Sequence, residues 1–178
     1  MINNFKNFII YSLCILMISF FSNANEQFIF DVTEIEISEN GNVINGYKEG
    51  TAITDDGNKI FAETFIYNKI TNILTATGNV KFENKLKNLI IYSDKVIYFK
   101  NEEKILSKGN SKAITENIVI NAKNFNYDKL NNILNANDNV KLVDNEKNVT
   151  VITDDITYFL NEEKILSKGN SKAITENI

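Results

Sequence analysis

Carboxylates are the side chains of this sequence with the widest chemical potential, because His is absent and Cys occurs once. This inventory excludes a His/Cys zinc site, a Ser-His-Asp triad and a Cys-His pair. Adjacent acids occur at Asp55-Asp56, Glu102-Glu103 and Asp154-Asp155, and paired carboxylates serve in glycoside hydrolysis and in Ca²⁺ binding. None has EF-hand spacing, and adjacent residues of a strand point to opposite faces. We interpret these acids as solvated charges and predict no catalytic residue, no metal site, no cofactor and no enzymatic activity.

The charge balance also limits the partners. Asp and Glu number 23 against 19 basic residues, all Lys, for a net charge of −4 at pH 7. Nucleic-acid binding needs a concentrated positive face, so we expect no nucleic-acid partner. The same balance offers anionic lipid headgroups little attraction. The chain is so rich in Asn, Ile and Lys that we attach no function to any single Asn or Lys.

The amino terminus has the pattern of a secretory signal peptide over residues 1–24. Lys6 supplies positive charge, and an uncharged, largely apolar run of 14 residues extends from Phe8 to Phe21. Small residues at 22 and 24 then suit a cleavage site. The run is shorter than the ~20 residues that span a bilayer, although an uncleaved anchor stays open as an alternative. We expect an exported domain over residues 25–178 with no disulfide.

An internal repeat organises that domain. Residues 101–118 recur letter for letter at 161–178, an offset of 60. Each block divides again, since four tyrosines are spaced 31, 29 and 31 residues apart, at Tyr67, Tyr98, Tyr127 and Tyr158. The chain therefore contains four units of about 30 residues, preceded by a weaker half-unit.

The spacing within each unit predicts β-strands. Most apolar positions are two residues apart, which is the period of a strand, and β-branched and aromatic residues are abundant. A step of three separates Ala62 from Phe65 and recurs in every unit, so we expect a β-bulge there. Polar pairs such as Asn68-Lys69 and Asp128-Lys129 predict hairpin turns, and the Gly-Asn steps predict backbone with positive φ. We predict an all-β fold of about a dozen short strands.

The same spacing predicts which face is buried. One face carries Ile, Phe, Tyr, Leu and Val, whereas the other carries Lys, Asn, Thr, Asp and Glu. Such strands bury one side, as in an antiparallel sandwich or a rolled sheet. Large and small residues alternate along the inward columns, which suits a closed core or a tapered groove. For the tyrosines we favour a cap on the core, with the hydroxyl in water, over a headgroup contact.

Two stretches carry a resemblance to a known family. IFAETFIYNKITNILTATGNVKF at 60–82 and INAKNFNYDKLNNILNANDNVKL at 120–142, with degenerate copies at 91–113 and 151–173, resemble the OstA-like family. That resemblance implies lipopolysaccharide transport in the Gram-negative periplasm and assembly of the outer membrane. It implies an elongated, open β-jelly roll whose members pair edge to edge. The expected partners are lipopolysaccharide and other lipopolysaccharide-transport proteins.

The resemblance also implies a site. Acyl chains would lie in an apolar groove lined by the inward residues of the repeats. The candidate groove residues are Ile60, Phe65, Tyr67, Leu74, Val80, Phe82, Ile91, Val96, Tyr98, Ile120, Phe125, Tyr127, Leu134, Val140 and Leu142.

Two alternatives stay open. The stripe could fill a solid core, as in a secreted β-repeat adhesin or solenoid without lipid cargo. Within the family, residues 29–50 look most like the amino-terminal domain of the outer-membrane translocon, so the chain could be a truncated translocon or a complete short bridge protein.

Overall fold

The computed structural model describes residues 28–175. The predicted signal peptide, residues 1–24, lies outside the described residues. Within them, the all-β prediction is confirmed. Twelve strands occur, joined in places by three short 3₁₀ turns at Glu39–Gly41, Lys85–Lys87 and Lys100–Glu102. No helix of residues 28–175 is long and apolar enough to cross a membrane.

The strands follow the repeat. Their bounds are β1 Phe28–Ser38, β2 Val43–Thr54, β3 Lys59–Ala62, β4 Thr64–Asn68, β5 Ile73–Asn84, β6 Leu89–Phe99, β7 Lys104–Ile114, β8 Ile118–Asp128, β9 Ile133–Asp144, β10 Val149–Phe159, β11 Lys164–Lys168 and β12 Lys172–Thr175. All paired strands are antiparallel, in the order β1-β2-β3-β5-β6-β7-β8-β9-β10-β11, with β4 between β2 and β5 and with β12 beside β10. Each strand from β5 to β11 therefore pairs with the strand before it in the sequence.

The predicted turns close these hairpins. The turn in each unit ends on a residue with left-handed backbone, at Asn72, Glu103, Asn132 and Glu163, with φ values of 55, 49, 54 and 50°. Asn adopts this conformation at low cost, and its side chain often bonds nearby backbone. The turn predictions at Asn68-Lys69 and Asp128-Lys129 are thus confirmed.

The predicted bulges are confirmed as well. The pairing register shifts between Tyr92 and Lys95 and between Asn121 and Asn124, and in the first unit a single residue, Glu63, separates β3 from β4. An unpaired extra residue reverses which side chains face inward and bends the strand. As a result, both halves of each long strand turn their apolar residues to the same interior.

The Gly-Asn steps form the other side of these bulges. Gly109 and Asn110 have φ values of 81 and 39°, which confirms the predicted positive φ. The carboxylate of Asp94 lies beside Gly109 and accepts a hydrogen bond of 3.2 Å from Asn110 Nδ2. In the third unit Asp138 replaces the glycine, and Lys123 replaces the acid. The acid therefore moves to the opposite strand of the same bulge, where Asp138 accepts from Asn124.

The bulges divide the sheet into two layers. The first layer contains residues 28–32, 50–54, 59–62, 80–84, 89–93, 111–114, 118–122, 140–144, 149–153 and 172–175. The second layer contains residues 34–38, 43–47, 64–68, 73–77, 95–99, 104–108, 124–128, 133–137, 155–159 and 164–168. The layers face each other, because the ring of Phe28 in the first lies 5.7 Å from that of Tyr98 in the second. This folded antiparallel sheet agrees with the predicted β-jelly roll.

The outer faces differ in part from the prediction, which made them wholly polar. Ile90, Ile114, Val119 and Val143 form one cross-strand row on the outside of the first layer, and each is half-buried. The repeat pattern does not reveal them, because the first unit has Lys59 at the position of Ile90 and Val119, and Glu83 at the position of Ile114 and Val143.

A close approach at the first bulge yields a stability prediction. A Cβ on Gly50 would lie 2.7 Å from Val32 Cα and against the backbone oxygen of Asp31, so Gly50→Ala must displace main chain. We expect it to lower the free energy of unfolding by about 2–3 kcal/mol. Gly57→Ala, which meets no atom within 4 Å but has φ +80°, should cost about 1 kcal/mol. Urea unfolding followed by circular dichroism measures both, and equal losses would contradict the expected close contact.

Candidate functional site

The interior between the two layers contains all fifteen candidate groove residues. Each lies on the inner face, and none is more than 6% exposed, the value of Tyr67. They belong to one continuous hydrophobic cluster. The layers are in contact through this cluster, since the Phe82 and Tyr127 rings lie 6.3 Å apart and those of Phe28 and Tyr67 lie 4.8 Å apart. In this closed arrangement the interior is a packed core, and a ligand would enter it only if the layers separate.

Sequence reasoning left several inner-face residues out of the candidate site. Phe28, Leu89, Ile105 and Ile118 are all buried in the same cluster. The signal for Leu89 and Ile118 is the strand period, because each lies two residues before a chosen isoleucine. Ile105 belongs to the repeated column of Leu74.

The apolar interior is uncovered at the β1 edge. Ile35 and Ile37 of β1 pair with Gly46 and Ile44, which in turn pair with Phe65 and Tyr67 on the inner face. Ile35 and Ile37 therefore also face inward, yet they are 49% and 61% exposed. β1 has a paired strand on one side only. At this edge of the described sheet, a continuous apolar surface meets solvent.

The turns of the two layers meet along a line that we call the seam. The first-layer turn at 55–58 contacts second-layer turns that begin at residues 100 and 129, and the turn at 85–88 contacts the one that begins at residue 160. Lys100 Nζ lies 2.8 Å from Asp55 Oδ1, and Lys87 Nζ donates to Asn161 Oδ1 at 2.9 Å. The seam is the side of the sheet opposite the bulges, where no backbone joins the layers.

The repeated tyrosines form the inner row of the seam. Asn84 Nδ2 donates to Tyr127 Oη across it at 3.3 Å. Tyr98 Oη donates to Glu103 Oε2 at 2.5 Å, and the pKa of Tyr98 is raised by burial and by this carboxylate. Burial likewise raises the pKa of Tyr127 to about 12. The prediction that these hydroxyls end in water is wrong for Tyr98 and Tyr127, because protein groups across and along the seam bind them.

An ionic cluster closes the seam near β2 and β3. Lys129 Nζ lies 2.8 Å from Asp56 Oδ2, also pairs with Glu103, and donates to Tyr98 Oη at 2.6 Å. Lys100 Nζ contacts Glu103 Oε1 at 2.6 Å in addition to Asp55. The two lysine side chains are only 7% and 11% exposed. The cluster thus connects a first-layer turn to two second-layer turns that are distant in sequence.

The cluster perturbs its own carboxylates. Burial opposes ionisation of Asp56, but hydrogen bonds from Lys129 and Thr54 prevail and lower its pKa to about 2. Burial likewise opposes ionisation of Glu103, whose pKa the two lysines nevertheless lower. The interpretation of Asp55, Asp56 and Glu103 as merely solvated charges is therefore wrong, since each binds a lysine of the seam. Among residues 28–175, no group of three or more carboxylate or Cys side chains could hold a metal ion.

The ionic cluster is not repeated further along the seam. At the offset of 60, Thr115 replaces Asp55 and Leu160 replaces Lys100. Thr115 instead shares a hydrogen bond with Tyr158. A cavity of about 170 Å³ lies in this region, beside Lys87, Thr115 and Tyr158. The seam therefore has ion pairs between the layers at one end, whereas at the other the described residues form none and the packing is looser.

A family model described as "OstA-like protein" matches residues 28–173. No curated protein matches. Among solved structures, the chain is similar to LptH, the LptA homologous periplasmic component of the lipopolysaccharide transport device from Pseudomonas aeruginosa. That similarity has 10% identity and a TM-score of 0.36, and covers 84% of this chain and 95% of LptH.

The family match includes every described strand from β1 to β11 and the start of β12. It therefore covers both layers, the packed interior and the whole seam. Because that match takes in well over half of the 178 residues, the chain belongs to the OstA-like protein family.

Proposed function

We propose that this protein is a non-enzymatic carrier of lipopolysaccharide that acts in the periplasm, in association with the outer membrane. Family membership supports the general role, and the continuous apolar interior is the observation that carries the specific one. Acyl chains would be shielded between the two layers while the sugar headgroup stays in water. Export by the predicted signal peptide at 1–24 would place the domain in that compartment.

Shielding an acyl chain from water requires a large area of apolar contact. Each acyl CH₂ exposed to water costs ~0.8 kcal/mol, so a chain of about a dozen carbons needs on the order of 10 kcal/mol of apolar contact. One inward row of the first layer contains no polar side chain; it runs from strand to strand through Ile60, Phe82, Ile91, Ala113, Ile120 and Leu142. An acyl chain lying along the strand-to-strand direction would keep such contacts over the whole domain.

Access to that interior would come through the seam. The bulge side is closed by the chain itself, whereas the seam is held by side chains alone. Near Thr115 and Tyr158 no ion pair of residues 28–175 joins the layers, and the ionic cluster of Asp55, Asp56, Lys100, Glu103 and Lys129 closes the other end. We infer that the layers part first at the end near Thr115 and Tyr158.

Neighbouring transport proteins would pair with the edges of the sheet. β1 ends the sheet on one side, and β11 with β12 ends it on the other. An unpaired edge offers free backbone donors and acceptors to another strand. At β1 the exposed Ile35 and Ile37 would then continue the apolar interior into the partner.

A secreted β-repeat adhesin or solenoid is the second candidate. The packed interior is the observation that favours it, because such a protein needs only a core. The two candidates differ in whether acyl chains enter the interior and in whether the edges associate.

Photo-crosslinking tests the cargo. A photoreactive residue in place of Phe65 or Phe125 should form adducts with lipopolysaccharide during transport in cells, because both side chains lie on the inner face. The same residue in place of Asn137, an exposed outer position of the second layer beside inward Ala136, is the control. Adducts at the outer position alone, or at neither inner one, would count against the carrier.

The seam has an expected pH dependence. Because the folded-state pKa of Asp56 is about 2 and its ordinary value is 3.8, its ionised form stabilises the closed state above about pH 4. That contribution is lost as the pH falls towards 2. Lys129→Met should remove it and lower the free energy of unfolding near neutral pH by about 1–2 kcal/mol, less than for a fully buried pair. Denaturant titrations at a series of pH values measure this.

Lys104→Met is the matched control for that variant. Lys104 forms an ion pair with Glu102, and the two side chains are 43% and 57% exposed. We therefore expect little change in the free energy of unfolding at any pH. Equal losses in the two variants would show that the seam lysine has no special part in closure.

Edge pairing has its own test. Small-angle scattering over a concentration series should show a maximum dimension that grows with concentration. Ile35→Glu/Ile37→Glu should suppress that growth, because charge would then lie on the uncovered inner face of β1. Ile29→Glu, on the outer face of the same strand and 57% exposed, should leave it unchanged. A dimension independent of concentration would favour the solenoid.

A further inference from the structure

A lysine occupies the same position in all four repeat units. These residues are Lys81, Lys112, Lys141 and Lys172, and each follows an inward Val or Ser. Single lysines carry no weight in this composition, but a position that is lysine in four units out of four is a pattern. In the structure, the four lysines lie on the same face of the sheet.

The four lysines form one row across the outer face of the first layer. The row runs through adjacent pairs in the order Lys81, Tyr92, Lys112, Asn121, Lys141, Ile152 and Lys172. Lysines thus stand on alternate strands, about 10 Å apart, with neutral residues between them. The row contains no acid from β5 to β12.

Three of these four lysines form no ion pair with a described residue. Lys81 pairs with Glu83, but Lys112, Lys141 and Lys172 are exposed and have no carboxylate within 4.0 Å among the described residues. The neighbouring acids on the bulge side, Asp94 and Asp154, instead accept hydrogen bonds from asparagines of their own bulges. A protein that is acidic overall therefore has a row of lysines without acids across the outer face of its first layer.

An aliphatic row lies directly beside it, on the seam side. Ile90, Ile114, Val119 and Val143 pair in sequence across four strands, and Ile174 continues beyond Thr150. A depression of about 390 Å³ at one end is lined by Leu89, Ile90 and Ile114, with Glu83, Lys85 and Glu116 also in its lining. A row of lysines parallel to a row of aliphatic side chains is the arrangement that interfacial proteins present to a charged bilayer.

We propose that this outer face of the first layer binds the surface of an anionic lipid bilayer. The lysines lie at the level of the phosphates, and the aliphatic row contacts the boundary between headgroups and acyl chains. An anionic polymer would use the lysines but gain nothing from the aliphatic row, so the bilayer fits both features. The face is separate from the packed interior, and the proposal stands whether or not lipid enters that interior.

Vesicle co-sedimentation tests the proposal. The exported chain, purified from the periplasm of an expressing bacterium, is mixed with phosphatidylcholine vesicles with or without phosphatidylglycerol. We expect binding only to the anionic vesicles, weakening with added salt. Lys112→Gln/Lys141→Gln/Lys172→Gln should reduce the partition coefficient by roughly 100-fold. Ile114→Thr/Val143→Thr should reduce it less, since both aliphatic positions are already half-buried.

The control removes the same charge elsewhere. Lys69→Gln/Lys108→Gln/Lys168→Gln alters three exposed lysines of the second layer and its turn, and it should retain most of the binding. Every variant shares one amino terminus, so any contribution of that segment cancels. Equal losses in the two triple variants, or no binding by the parent, would overturn the proposal. Lysine-dependent binding to polyphosphate without binding to vesicles would overturn it in favour of an anionic polymer. Circular dichroism confirms that each variant is folded.

Discussion

The structure depends on one local constraint, the extra residue that interrupts each long strand. A regular strand would send alternate side chains to opposite faces throughout its length. The step of three between Ala62 and Phe65, and its equivalents in β6, β8 and β10, exchanges the two faces in mid-strand. In β5, β7 and β9 the inward residues keep an even spacing, and two left-handed residues make the bend. The apolar residues before and after the bulge therefore point to one interior, and a single meander encloses it. Without the step of three, half of β6, β8 and β10 would present its apolar side to water.

Much of this could be predicted from the sequence, because it depends on local spacing. The strand period, the bulge and the turn residues each lie within one unit of about 30 residues, and repetition made each visible four times. The inward columns followed directly from them. The outer row of Ile90, Ile114, Val119 and Val143 was missed, since those positions hold different residue types from one unit to the next.

The seam could not be predicted, because it depends on how far the sheet twists. Asp56 meets Lys129 across 73 residues, and Asn84 meets Tyr127 across 43. Which turns come opposite each other is set by the accumulated twist of the strands, which no local pattern encodes. The acids at 55–56 and 103 were visible as residues, but their partners were not. The same twist leaves Ile35 and Ile37 of β1 without a covering layer.

The letter-for-letter duplication has a consequence for how the chain reaches this structure. Residues 104–108 form the start of β7, with Ile105 fully buried, whereas the identical residues 164–168 form β11 at the rim of the sheet. Two identical ribbons can therefore compete for the same place beside β6 during folding. Neither local propensity nor turn chemistry distinguishes the two outcomes. Order of appearance does wherever the chain is presented amino terminus first, because the neighbouring β8 captures the earlier copy before the later copy arrives. The protein is thus expected to fold with higher fidelity when its chain emerges progressively into a compartment than after dilution from denaturant, when both copies compete at once.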